Sequence, residues 1–238
     1  MWPLNLKERI KPMSMGTWVC LEEEAVQVAV VTREKSKSTC ELLEHALSTL
    51  ADGFEIIGRE DMEVTRVQMG LYSQNLNSLK CSIDLAYRGY YTQSVNLLRG
   101  VYENWIAFWY LADFPEKAQL WLSRDHQPPS HSEMLSKLGL GFVEDKGVAR
   151  EWYRILCKFA HPDYLTVVPH LGSRDGEPRA FFGATYKGER FASCAWMILQ
   201  FINLMLRDIG LWAPPSEPWL KRCTTVMERV LEFLQRQT

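Results

Sequence analysis

The chain has no Cys-x-x-Cys pair, no glycine-rich phosphate loop, no excess of one charge and no long uninterrupted apolar run, and each absence removes a class of protein. Its six cysteines, at 20, 40, 81, 157, 194 and 223, are too scattered to hold zinc or act as a redox dithiol, so reduced and mostly buried thiols are expected. Gly139-Leu-Gly141 lacks the lysine, serine or threonine context of a phosphate loop, and there is no Gly-x-Ser-x-Gly elbow. The 27 basic and 29 acidic residues leave a formal charge of -2, which excludes a surface that is basic all over and leaves room for a local basic groove. The best membrane candidate, Phe191 to Leu206, contains Ser193, Gln200 and Asn203 and is short for a hydrocarbon core of about 30 Å. A buried core helix is expected there, and no membrane partner. The first residues carry Lys7, Arg9 and Lys11 without a continuous apolar segment, so no secretory signal is read and a cytoplasmic protein is expected.

What is present is helical pattern. With 47% hydrophobic and 12% aromatic residues in 238, the chain can bury a large core. The expected organisation is an N-terminal arm over 1–21 and one all-α, elongated helical bundle over 22–238. Helical spacing runs over about 22–36 and 38–53, either as two helices with Ser38 to Glu41 as a candidate capping box or as one bent helix, and a long antiparallel pair over 61–87 and 92–112 turns near Gly89. Asp113-Phe-Pro-Glu116 and Ser130-His-Ser-Glu133 read as caps of short helices, and a helix over 146–160 is stopped by Pro162. The segment 165–186 reads as one small β-hairpin, and two further helices, over about 189–209 and 217–235, close the chain. The aromatic run Trp105, Phe108, Trp109 and Tyr110 is expected as core.

Two constellations carry chemistry. In the otherwise apolar stretch 95–111, Asn96, Arg99 and Glu103 fall on one stripe, where an arginine and a glutamate four apart can pair. The pair is either a brace between helices, reaching Asp84 or Arg88, or a site in which Arg99 binds an anion and Glu103 orients it. Farther on, Arg154 and His161 are seven apart with Lys158 between them, and seven residues at 100° each return to within about 20° of the start. A histidine at a helix C-terminus beside two cations suits protonation of a leaving oxygen on a phosphate, as metal-free RNA cleavage requires, and it also suits simple capping. His126 and His131 are read as loop residues and not as metal ligands, so no cofactor or metal is expected.

The segments Gly89-Tyr-Tyr-Thr-Gln-Ser-Val-Asn-Leu-Leu-Arg-Gly-Val-Tyr-Glu-Asn-Trp105 and Trp152-Tyr-Arg-Ile-Leu-Cys-Lys-Phe-Ala-His-Pro162 resemble a prokaryotic domain-of-unknown-function family of helical, HEPN-like proteins, over about residues 60–165. The resemblance implies a bundle that dimerises and a ribonuclease of a defence or toxin system, with RNA, a second copy of the chain and an antitoxin as partners. It makes Arg154 and His161 the catalytic pair and Glu103 a supporting acid; beside it, the reading of the residues puts Lys158 on the phosphate with Arg154 and sets Arg99 in support with Glu103. Two features depart from the pattern: Ile155 follows the arginine where a polar residue is usual, and His161 precedes a proline. The alternative of a different class is a non-catalytic helical module that binds a protein partner or a small anion.

Overall fold

The computed structural model describes residues 15–57, 63–123, 127–138, 146–161, 171–174, 177–180, 184–211 and 217–236. Helix α1 (Met15–Lys35) is followed by α2 (Lys37–Asp52), α3 (Phe54–Ile57), the long pair α4 (Glu63–Tyr87) and α5 (Tyr91–Asp113), a 3-10 turn (Pro115–Lys117) and α6 (Gln119–Leu122). Then come α7 (His131–Lys137), α8 (Lys146–Ala160), a hairpin of β1 (Leu171–Arg174) and β2 (Glu177–Ala180), α9 (Gly188–Gly210) and α10 (Pro218–Gln235). The architecture is an all-α bundle with one small antiparallel hairpin, in which Leu171 pairs with Ala180 and Arg174 with Glu177.

Several expected boundaries move. α1 already begins at Met15, inside the segment expected as an arm. α2 starts after Ser36, and the capping box expected from Ser38 does not form. Asp113 is the last residue of α5 and not a cap; Phe114 takes the cap position, with Pro115 opening the next turn. Ser130 does form its capping box, its hydroxyl accepting from the Glu133 N–H while the Glu133 carboxylate accepts from the Ser130 N–H.

α5 is the central helix, flanked by α4, α7, α8 and α9. Trp105, Phe108 and Tyr110 are buried, as their spacing suggests, Trp109 is half-buried, and no described helix is long and apolar enough to cross a membrane. The stretch Phe191 to Leu206 lies in α9 and buries Phe191, Ile198, Leu199 and Ile202. All six cysteines are free thiols. The α4–α5 turn is made at Gly89, whose φ of 82° belongs to the left-handed region and whose missing Cβ would stand 2.6 Å from the Thr185 carbonyl oxygen.

Polar rungs fix the register of the long pair. Gln68 donates to the Phe108 carbonyl (3.0 Å), Asn75 to that of Val101 (3.1 Å), and Ser82 and Ser94 donate to each other's carbonyls at 2.9 and 2.7 Å. On α4 these residues step by seven, from 68 to 75 to 82, while their partners step by seven down α5. That is the repeat of an antiparallel coiled coil, with polar residues specifying alignment that an apolar seam alone would leave free to slide. Asn75→Leu should cost about 1–2 kcal/mol in urea stability: Val101 keeps its intrahelical bond, but the half-buried Asn104, whose Nδ2 donates to Asn75 Oδ1 at 3.0 Å, loses its acceptor. Asn75→Asp should cost several, about 3 kcal/mol or more, by placing a carboxylate at a fully buried position facing that carbonyl.

Candidate functional site

The polar stripe of α5 reaches the edge of the bundle where α7 and α8 lie against it. Arg99 and Glu103 are one turn apart, and Arg99 Nε donates to Glu103 Oε1 at 2.9 Å. Their side chains keep 28% and 35% of their exposure, so the pair is not sealed in the core as the surrounding apolar residues suggest. Nor is it a brace to α4: Asp84 pairs with Lys80, and Arg88 with Glu22 of α1.

α8 brings two further groups. Its docking side carries the buried Leu156 and Trp152, which stacks on Trp196 of α9 at 5.7 Å between ring centroids. That fixes the helix so that Tyr153 and His161 face Arg99. The Tyr153 hydroxyl donates to Glu103 Oε1 (3.0 Å) and accepts from Arg99 Nη2 (3.3 Å), and His161 Nε2 lies 3.3 Å from Arg99 Nη1. A guanidinium only donates, so this contact selects the tautomer in which Nε2 accepts and Nδ1 carries the proton. Burial and the bond to Glu103 push the Tyr153 phenol above its usual range, whereas Glu103 raises Arg99 further and keeps it charged.

α7 closes the cluster from the third side. The His131 ring stacks on Tyr153 with centroids 4.0 Å apart and planes 15° from parallel, and stands 5.4 Å from Tyr102. His131, expected in a loop, is the first residue of α7. Burial, aided by Arg99, lowers its proton affinity below the ordinary histidine value, with Glu103 opposing.

Of the residues singled out from the sequence, Arg99, Glu103 and His161 meet. Arg154 is 60% exposed, and its Nε and Nη2 are held by Glu151 at 2.8 and 2.5 Å. Lys158 lies half-buried one turn beyond it on α8. Arg150, Arg154 and Lys158 succeed one another every four residues, about 6 Å apart along the helix axis, and form a basic flank beside His161. His126 lies outside the described residues, and among those described no three His, Cys, Asp or Glu side chains converge as a metal site. Tyr153 and His131 carry no sequence signal of their own; the one hint is that Tyr153 and His161, eight apart, return to within about 80° of each other on a helix.

Compared with known proteins, the chain matches no family model, and no curated protein or solved structure is significantly similar to it.

Proposed function

We propose that the protein is a metal-independent endoribonuclease centred on Arg99, Glu103, Tyr153 and His161, within the HEPN-like class of prokaryotic defence or toxin proteins. The observation that carries this is the convergence of a carboxylate, an imidazole and a phenol, each within 3.3 Å of the Arg99 guanidinium, at a solvent-reachable edge. RNA cleavage without a metal needs a base, an acid and a cation on the phosphate. Glu103, oriented by its bond to Arg99, takes the proton of the 2'-hydroxyl as that oxygen attacks the adjacent phosphorus. A phosphate seated between Arg99 and His161 takes a hydrogen bond from each, with His161 in its protonated form. The P–O5' bond breaks, and His161 gives its proton to the leaving 5'-oxygen, producing a 2',3'-cyclic phosphate and a 5'-hydroxyl. Tyr153 holds the Glu103 carboxylate in place through its hydroxyl, while Arg154 and Lys158 hold the flanking backbone rather than the reacting phosphate. The same class carries the proposal of a homodimer and of an antitoxin as protein partner.

A second reading, a non-catalytic module for a small anion or a protein partner, is favoured by one observation: each nitrogen of the Arg99 guanidinium already has a partner within the site. Incubating cellular RNA with purified protein in EDTA separates the two. Wild type is expected to yield cyclic-phosphate ends that vanish in His161→Ala, with both proteins folded by circular dichroism. Intact RNA after incubation with folded wild type overturns the nuclease, and pyrophosphate binding lost in Arg99→Ala would then support the second reading.

A further inference from the structure

His131 is a half-buried titratable group next to the site that the chemistry above does not use. Its ring lies almost parallel to Tyr153 at 4.0 Å, and the Tyr153 hydroxyl is the atom shared by Glu103 and Arg99. Nδ1 and Nε2 of His131 are buried and meet no hydrogen-bond partner. A neutral imidazole tolerates such a setting because it stacks as an aromatic ring. An imidazolium would bring two N–H donors that need acceptors and a charge that needs water.

We propose that His131 is a positioning residue whose neutral ring holds the Tyr153 phenol between Glu103 and Arg99, and whose protonation releases it. The charges around it make the two states distinct. On α5, Arg99 disfavours a second cation and Glu103 favours one, while Tyr102 presents a neutral ring; on α8, Tyr153 does the same. On α7 itself, Glu133 is engaged by Ser130, and His131 occupies the first helical position, where the positive end of the helix dipole opposes an added proton. Burial is the largest influence and also acts against the charge. Because the folded proton affinity lies below the unfolded one, this docking is fully stable above the ordinary value of 6.5 and weakens as the pH falls through the lower folded value. The site therefore comes apart as the pH falls below the ordinary histidine value, through a residue that touches no substrate.

The proposal rests on the proposed function only in taking this cluster as the functional centre, and its test needs no turnover. The Arg99 Nε–H resonance, identified as the signal missing in Arg99→Lys, reports whether the guanidinium is held by Glu103. In wild type it should move from a protected to a solvent-exchanging position as the pH is lowered from about 7 to 5. In His131→Phe, which keeps a flat ring and cannot be protonated, it should stay protected over the same range. In His131→Ala it should exchange already at neutral pH, while His161→Ala should titrate as wild type does. A titration unchanged in His131→Phe, one abolished in His161→Ala, or a protected signal in folded His131→Ala would each overturn the proposal. RNA left uncut by wild type would remove the nuclease and leave this titration to be judged by itself.

Discussion

Glu103→Gln is expected to lower the rate of RNA cleavage by about 10²–10⁴-fold, the range that a positioned general base contributes. The amide can still accept from Arg99 Nε and Tyr153 at the oxygen they now share, so the geometry survives while the proton acceptor is lost. Stability separates this from structural damage. Exposed ion pairs of this kind contribute no more than about 1 kcal/mol, and the pair here keeps about a third of its exposure, so the variant should melt close to wild type. Tyr153→Phe, which removes one donor and keeps the ring on His131, should cost less, about tenfold. Arg154→Ala should cost least with a short substrate, since Arg154 is turned to Glu151, and its effect should appear with longer RNA and fade at high salt. Equal losses in all three variants would point to a site in which no residue has a separate role, and a Glu103→Gln enzyme of full activity would remove the carboxylate from the chemistry.

The parts legible in the sequence are those set by neighbours along the chain. Helical spacing placed α4, α5, α8, α9 and α10 to within a few residues, and the offset of four between Arg99 and Glu103 sufficed to pair them. The turn at Gly89 and the Ser130 capping box are likewise local chemistry. What the sequence could not show is which face of α8 meets α5. Arg154 and His161 share a stripe by periodicity, but helix rotation is decided by the burial of Leu156 and by the stack of Trp152 on Trp196, forty-four positions later in the chain. That rotation turns Tyr153 to Arg99 and leaves Arg154 outside, while His161, one residue past the last helical residue Ala160, reaches Arg99 from the helix end. His131 was hidden for the same reason, because a histidine at the start of a short helix acquires meaning only from a ring contributed by another element. The polar rungs between α4 and α5 show the limit from the other side: their spacing of seven is written in each helix, yet Gln68 and Asn75 find backbone carbonyls, which no pairing of side chains announces.

Asp208→Ala is expected to destabilise the protein by about 2–4 kcal/mol, since it removes the acceptor of two indole donors. Asp208 is 2% exposed in α9, and its Oδ2 accepts from Trp105 Nε1 (2.9 Å) and Trp109 Nε1 (3.0 Å), one turn apart on α5. Its Oδ1 meets Arg207 at 2.8 Å, and that guanidinium is 47% exposed, so water can serve it after the carboxylate is gone. The fully buried Trp105 indole has no such recourse. Asp208→Asn should cost less, since an amide oxygen can still accept from the indoles, though its NH₂ then faces Arg207. Burial raises the Asp208 carboxyl above its ordinary 3.8, with the indoles and Arg207 partly offsetting it. A folded value above the unfolded one means that the stabilising contribution is complete below 3.8 and is lost as the pH rises through the folded value. The margin of wild type over Asp208→Asn should therefore shrink between acid and neutral pH, which urea midpoints measured across that range would show. A margin that instead grows toward neutrality would mean that the indoles and Arg207 outweigh burial.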